Sequence, residues 1–261
     1  MRADVFLFSR GFAKSRTHAS DLIKSGVEIG GKKIAKASQD IPEDTPDTEI
    51  KIIEPSKYVS RGGLKLEVAL AVFSVDPSGL TALDVGASTG GFTDCLLRNG
   101  ASKVYAVDVG HGQLAPSLVR DERVVNLEGI NAKNLSPELI GAHGFPIAVS
   151  DVSFISQTLI YAPVCSMLKD GGIFISLIKP QFECGKKNLS SGGICKDKKV
   201  HIKVINELFA KARLSGLSPE ALTRSPITGG DGNVEYLALF VKNGNGAPVT
   251  EEHIHKTVMG L

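Results

Sequence analysis

The feature that most constrains this chain is a glycine turn set between a buried strand and a helix. An apolar run over residues 80–83 leads into Asp84-Val85-Gly86-Ala87-Ser88-Thr89-Gly90-Gly91-Phe92-Thr93-Asp94, and residues 92–97 read as the start of a helix. Glycines let the backbone approach a ligand where a Cβ would clash, and a helix N-terminus presents unpaired N–H groups. A second strand, Lys103-Val104-Tyr105-Ala106-Val107, ends at Asp108, where a carboxylate is placed to hold a ribose diol. The turn spells G-x-x-x-G-G rather than G-x-G-x-x-G, so a smaller adenosine ligand suits it better than a dinucleotide. S-adenosylmethionine is the leading candidate. Asp84, Gly86, Ser88, Thr89, Gly90, Gly91, Phe92, Asp108, Val109 and Asp151 are its expected contacts.

From residue 58 onward the pattern alternates strands with helices. Strands are expected near 81–85, 104–108, 124–127, 147–150, 172–178, 220–223 and 234–241, and helices near 63–73, 92–98, 113–120, 156–168 and 199–214. Apolar strands alternating with helices predict an α/β fold with a doubly wound, mostly parallel, Rossmann-like sheet. Ligands of such sheets bind at the C-terminal strand ends. Residues 1–36 read differently, as helix, helix, hairpin: Ser15 is a plausible N-cap, Gly26 a helix end, and Gly30-Gly31 a hairpin turn. The division expected is a small α+β domain with its connector at 1–57, the α/β domain at 58–244, and a polar tail at 245–261 with at most one short helix.

Net charge is only +2, but its distribution is uneven. Residues 1–36 carry a balance of +5 and residues 37–58 a balance of −4, the latter with prolines at 42, 46 and 55 and a short strand expected at 49–53. A basic head before an acidic, Pro-punctuated strip suggests a polyanion-binding module and a connector. The start has no apolar core of a signal peptide. The longest uncharged run, 152–168, is too short and polar for a membrane span. Four cysteines without C-x-x-C pairing read as reduced thiols of a cytoplasmic protein, and six scattered histidines give no metal site.

Four charged residues interrupt apolar or glycine-rich surroundings: Lys65 in Ser60-Arg61-Gly62-Gly63-Leu64-Lys65, Asp151 after the fourth strand, Lys179 after the fifth, and Glu235 at the last strand. A ribose hydroxyl must lose its proton as it attacks a sulfonium methyl, and a neutral lysine amine can take it. A free lysine titrates near 10.4, so a lysine base at neutral pH has to be lowered toward roughly 7–8. Lys179 is the expected base, Lys65 a second positive charge, and Asp151 and Glu235 the groups that orient the two amines. Base methylation leaves other marks. The place of an Asn/Asp-Pro-Pro-aromatic turn holds Asp151-Val152-Ser153-Phe154, and no Cys follows a Pro.

Taken together, these segments resemble the TlyA-type haemolysin A / ribosomal RNA methyltransferase family over nearly all of residues 1–244. Arg2-x-Asp4, Ser15-Arg16, Ala19, Leu22-Ile23, Gly26 and Gly31 are similar to the S-four-type RNA-binding fold. Residues 58–66, 84–93, 107–114, 151–156 and 177–183 are typical of the family. The second domain resembles FtsJ-like ribose 2′-O-methyltransferases, whose Lys-Asp-Lys-Glu set falls on Lys65, Asp151, Lys179 and Glu235. The resemblance implies S-adenosylmethionine as cofactor and 2′-O-methylation of cytidines in ribosomal RNA, free or in ribosomal subunits. It also implies Asn131 near the adenine, and phosphate contacts from Arg2, Lys14, Arg16, Lys24, Lys32, Lys33 and Arg61. The chain departs from the family with Gly30-Gly31 in place of Asn-Gly, and with Glu128-Gly129-Ile130-Asn131 in place of Glu-Arg-Thr-Asn. Two other readings compete: a membrane-active haemolysin, for which no strongly amphipathic basic helix is found, and a non-catalytic ribosome-binding factor, which would not need the Lys-Asp-Lys-Glu set. The Lys- and Gly-rich stretch 185–199 reads equally as a loop over the RNA site and as a plain surface loop.

Overall fold

The computed structural model describes residues 1–52, 57–229 and 232–261, with the side chains of Lys24 and Ser25 left out. It divides into two compact units, Met1–Lys57 and Tyr58–Leu261.

In the small unit, helices α1 (Ala3–Ser9) and α2 (Arg16–Ser25) share a core with a three-stranded antiparallel sheet. Its strands are β1 (Val27–Ile29), β2 (Lys32–Lys33) and β3 (Ile50–Ile52), in the order β2-β1-β3. Ser15 caps α2, its Oγ accepting from the His18 N–H at 3.1 Å. Gly30 and Gly31, at φ 58° and 73°, form the two-residue turn, whose left-handed backbone matches the twist of the flanking strands. The strand expected within the connector is instead the third strand of this sheet, with Val27 opposite Ile52 and Ile29 opposite Ile50. Its last expected residue, Ile53, lies outside the described residues.

The large unit is built on seven strands. In chain order its elements begin with α3 (Gly62–Val72), β4 (Thr81–Val85), α4 (Gly91–Arg98), β5 (Lys103–Val107), α5 (Pro116–Val119) and β6 (Val124–Leu127). They continue with α6 (Pro137–Ile140), β7 (Phe145–Ser150), α7 (Tyr161–Met167), β8 (Leu168–Ile178) and α8 (Pro180–Glu183). The last are α9 (Lys198–Leu214), β9 (Leu217–Arg224), β10 (Tyr236–Lys242) and α10 (Glu251–Met259). The sheet order is β6-β5-β4-β7-β8-β10-β9. The first five of these are parallel, and β10 runs antiparallel to both β8 and β9.

Strand side chains alternate between two cores, as the period of a strand requires. Ile147, Val149, Ile175, Leu177 and Leu237 join one core with Leu66 and Leu70 of α3 and Leu96 of α4. Ala148, Phe174, Ile178, Tyr236 and Phe240 join the other, with α7, α9 and α10. The C-terminal stretch does not trail as a polar tail. Ile254 and Val258 of α10 are buried, and the Thr250 side chain caps the helix. The helix expected at 113–120 is a single turn starting at Pro116, a residue suited to a helix start.

Candidate active site

The strand alternation explains how the site assembles. Asp151, Lys179 and Glu235 each continue the parity of the α3/α4 face, two residues beyond Val149 and Leu177 and two before Leu237. The β8–β10 register pairs Tyr236 with Ile178, so Glu235 falls opposite Lys179 at the next position. Lys65 reaches the same edge from α3. The structure brings the four together as two ion pairs. Lys65 Nζ donates to Glu235 Oε2 at 2.5 Å, both side chains being buried. Lys179 Nζ forms an ion pair with Asp151 Oδ1 at 2.6 Å. Lys179 Nζ also donates to Ser153 Oγ at 2.7 Å and stands over the Phe182 ring. Helix α3 closes on this edge through glycines. A Cβ at Gly62 would sit 3.6 Å from Asp151 Oδ2, and one at Gly91 would meet Ser60 Oγ at 2.1 Å and the Gly63 nitrogen at 3.0 Å.

The glycine turn lies beside these pairs. Gly86 and Gly90 take φ of 83° and 92°, and Ser88 takes 50°. The Asp108 carboxylate holds this turn open from the neighbouring strand, accepting from the Ser88 N–H at 2.8 Å and the Gly110 N–H at 2.7 Å. A carboxylate has about four acceptor positions, so Asp108 keeps capacity for a diol. Asp84 sits behind the turn, fully buried. Its Oδ2 accepts from Thr93 Oγ1 at 2.7 Å, while Oδ1 has no hydrogen-bond partner. Burial pushes its carboxyl up to about 7, the charges of Asp151 and Asp108 adding to this against the Thr93 bond.

A cavity of about 480 Å³ opens over the turn, lined by Gly86, Ser88, Asp108, Val109, Asn131 and Asp151 among the expected residues, within the roughly 300–1,000 Å³ of small-ligand pockets. A smaller, polar cavity of about 160 Å³ joins it at Gly86, Ser88 and Asp151 and is lined by Thr89, Gly91, Phe92 and Lys179. Asp84 and Gly90 line neither; they shape the turn from behind. Asn131 Oδ1 also accepts from the Lys133 N–H at 3.1 Å. The departure at Gly129 has a local fit: its backbone takes φ 72°, and a Cβ there would meet His111 Nε2 at 3.0 Å.

Three features escaped the sequence reading. Gln113, Ile130 and Val152 also line the larger cavity. Phe154 is 91% exposed on a left-handed backbone of φ 62°, its ring 4.9 Å from that of Phe182. Such a conformation costs a bulky residue of the order of 1–3 kcal/mol. Glu183 accepts from Ser156 Oγ and the Gln157 N–H, both at 2.8 Å, and burial pushes its carboxyl up. That bond pair ties the turn after β7, which carries Asp151, to the helix that follows Lys179. Phe154 and Glu183 both stand in family-like segments, but nothing in their residue type marks a left-handed backbone or a cross-link.

Among the RNA-binding candidates, Arg2 and Arg16 converge on Asp4, at 2.9 Å each, while leaving about half of each side chain exposed. The two guanidiniums hold the Asp4 carboxyl well below its usual range. Lys14, Lys32 and Lys33 are exposed, and the Lys24 side chain lies outside the described residues. Arg61, on the large unit, donates to the Thr228 carbonyl at 2.7 Å. Among the described residues no group of three or more His, Cys, Asp or Glu is placed to hold a metal ion, and no helix is long and apolar enough to cross a membrane.

Comparison with known proteins matches residues 58–242 to the FtsJ-like methyltransferase family and residues 1–45 to the S4 domain. The chain belongs to the FtsJ-like methyltransferase family. Hemolysin A of Brachyspira hyodysenteriae is 43% identical over 242 residues, 92% of this chain and 100% of that protein. The 16S/23S rRNA (cytidine-2′-O)-methyltransferase TlyA of Mycobacterium tuberculosis is 42% identical over 238 residues, 90% of this chain and 88% of that one. A solved haemolysin-type structure from Streptococcus thermophilus superposes with a TM-score of 0.78 at 38% identity, covering 100% of this chain and 94% of its own.

Proposed function

We propose that this FtsJ-like protein transfers a methyl group from S-adenosylmethionine to the 2′-hydroxyl of cytidines in ribosomal RNA, with Lys179 as general base. The observation that carries the reading is the Lys179–Asp151 pair on the wall of the cavity, with the buried Lys65–Glu235 pair at the same edge of the sheet. Asp108 and Asp151 line the cavity beside the glycine turn. Such a field attracts a cationic ligand and opposes a pyrophosphate. Gly86, Ser88, Asp108, Val109, Gln113 and Asn131 would hold the cofactor, which when bound supplies an electrophilic methyl group.

The chain's own groups do the rest. Asp151 and Ser153 fix where Lys179 Nζ points, and in its neutral form that nitrogen takes the hydroxyl proton. Lys65, held by Glu235, adds positive charge at the same edge. Holding the hydroxyl in line with the methyl is worth up to about 7–11 kcal/mol. Phe154, exposed and strained beside Ser153, offers a face on which the target base stacks, as a nucleotide drawn out of an RNA fold requires. The basic residues of the S4 domain supply phosphate contacts, which position RNA without reading its sequence. Such a substrate implies a cytoplasmic protein.

The haemolysin reading rests on the names of relatives; among the described residues no helix is long and apolar enough to cross a membrane. The proposal is tested by incubating the full chain and labelled S-adenosylmethionine with ribosomal subunits and naked rRNA lacking the modification, then mapping the product by resistance of the ribose to alkaline cleavage. Label on a cytidine 2′-oxygen is expected. Label on a base, or no label on any ribosomal RNA despite cofactor binding, overturns it.

A further inference from the structure

We propose that Glu183 and Gln157 are positioning residues: their cross-link holds the turn 151–156 against the end of β8 and so sets where Asp151 and Ser153 meet Lys179. The effect on methyl transfer rests on the function proposed above; the holding of the turn does not.

The need for such a link follows from where the sheet stops. β7 ends at Ser150, and its ladder with β8 runs out at the pair Ser150–Ser176. Asp151 and Lys179 both lie past that pair, so on this side the ladder no longer fixes the separation of the segments that carry them. The turn is also strained, because Phe154 stands at φ 62°. A conformation of that kind persists only where its surroundings over-determine it.

Gln157 and Glu183 supply what the ladder does not. The Gln157 side chain is buried and reaches three partners. Its Nε2 donates to the Leu177 carbonyl at 2.5 Å, and its Oε1 accepts from Ser176 Oγ at 2.9 Å and from the Tyr161 hydroxyl at 3.3 Å. Glu183 ends α8, one helical turn beyond Lys179. Its oxygens divide between the Gln157 N–H and Ser156 Oγ, both at 2.8 Å. Ser156 and Gln157 open the short 3-10 turn Gln157–Leu159. N–H groups at such a start have no partner within their own turn, and a carboxylate there makes charge-assisted bonds. The turn is therefore tied to β8 two residues before Lys179 and to α8 four residues after it.

Neither residue reaches the chemistry itself. The two cavities over the glycine turn are lined by residues 151–155 and Lys179, and not by Gln157 or Glu183. The cross-link acts through Lys179, whose Nζ stands 2.6 Å from Asp151 Oδ1 and 2.7 Å from Ser153 Oγ, both on the tied turn. A misplacement of about 1 Å near a reacting group costs up to about 10²-fold in rate. In Glu183→Gln the amide oxygen still accepts from the Gln157 N–H while the amide nitrogen donates to Ser156 Oγ, so the link survives. Glu183→Ala removes both bonds.

Two measurements on the full chain test this. Hydrogen exchange read by mass spectrometry over residues 151–159 should speed up at least about tenfold in Glu183→Ala and stay within about threefold of the wild type in Glu183→Gln. Single-turnover transfer from S-adenosylmethionine to ribosomal subunits should fall about 10- to 100-fold in Glu183→Ala, with the cofactor Kd within about threefold, and recover in Glu183→Gln. In a Lys179→Ala background the same Glu183→Ala change should cost less than about threefold, because a residue that acts through Lys179 has nothing left to position. A purely structural role would lower transfer by the same factor in both backgrounds. If Glu183→Ala does not fold, Ser156→Ala, which removes one of the two bonds, takes its place in each comparison. Unchanged exchange, an equal loss in Glu183→Gln, or an equal loss in both backgrounds overturns the proposal. A wild-type protein that binds cofactor and methylates no ribosomal substrate counts against the methyltransferase reading, and hydrogen exchange then decides the cross-link by itself.

Discussion

Replacing Asp84 by Asn should change how stability depends on pH, in a direction the structure fixes. Asp84 is fully buried, with one oxygen bonded to Thr93 and the other unpartnered. Its carboxyl is raised from 3.8 to about 7, first by burial and then by its acidic neighbours. The folded state therefore holds this proton after the unfolded chain has released it. A raised group contributes stability that is fully present below the unfolded value, and that stability is lost as pH rises through the folded value. At about 1.36 kcal/mol per unit, the rise from 3.8 to about 7 amounts to a loss on the order of 4 kcal/mol across that window. Asn cannot ionise and removes the loss. Urea unfolding of wild type and Asp84→Asn from about pH 5 to about pH 8 reads the part of that loss above pH 5, about 3 kcal/mol. Other groups, such as Asp4 with its opposite sense, cancel in the comparison. The variant should gain on the wild type as pH rises, levelling off above about 7. Parallel stability curves would refute the reasoning, since they would mean that Asp84 carries the same charge folded and unfolded.

Three further perturbations separate stability from function. Glu235→Ala leaves the buried Lys65 ammonium unpaired and should cost about 3–5 kcal/mol in urea unfolding, whereas a Lys65→Met, Glu235→Met double variant should recover most of that and stay inactive. Phe154→Gly relieves a left-handed aromatic and should raise stability by about 1 kcal/mol. Loss of a stacking face worth about 1–3 kcal/mol should raise the KM for ribosomal RNA about 5- to 150-fold. Gly91→Ala drives a methyl into Ser60 Oγ and toward the Gly63 nitrogen, so it should destabilise by about 1–3 kcal/mol and lower kcat, because α3 carries Lys65; an unchanged melting temperature would contradict the packing described.

The sheet was legible because its strands are continuous apolar runs, and because glycines at 86 and 90 mark a turn that only a left-handed backbone makes. Asp151, Lys179 and Glu235 stood out as charges at the ends of such runs and Lys65 as a charge in a glycine-rich segment, and strand parity explains why the first three share a face. What was hidden has a physical reason in each case. The third strand of the small sheet looks like part of an acidic connector because only Ile50 and Ile52 face its core. The C-terminal helix reads as polar because just Ile254 and Val258 dock it. Asp108 was legible as a carboxylate at a strand end, but a sequence does not tell a ligand acceptor from a group already holding the Ser88 and Gly110 N–H groups. Glu183 and Phe154 depend on a side-chain cross-link and a backbone angle that only the folded chain displays.

The central claim is that Lys179 Nζ takes the proton at the reacting hydroxyl. The most direct measurement pairs single-turnover methyl transfer to ribosomal subunits with the Kd for S-adenosylmethionine, in wild type and Lys179→Ala. A general base contributes about 10²–10⁴-fold, so transfer should fall by that much while the cofactor Kd moves by less than about threefold. Transfer within about tenfold of the wild type, with the cofactor bound as before, would contradict the account and move the base to another group.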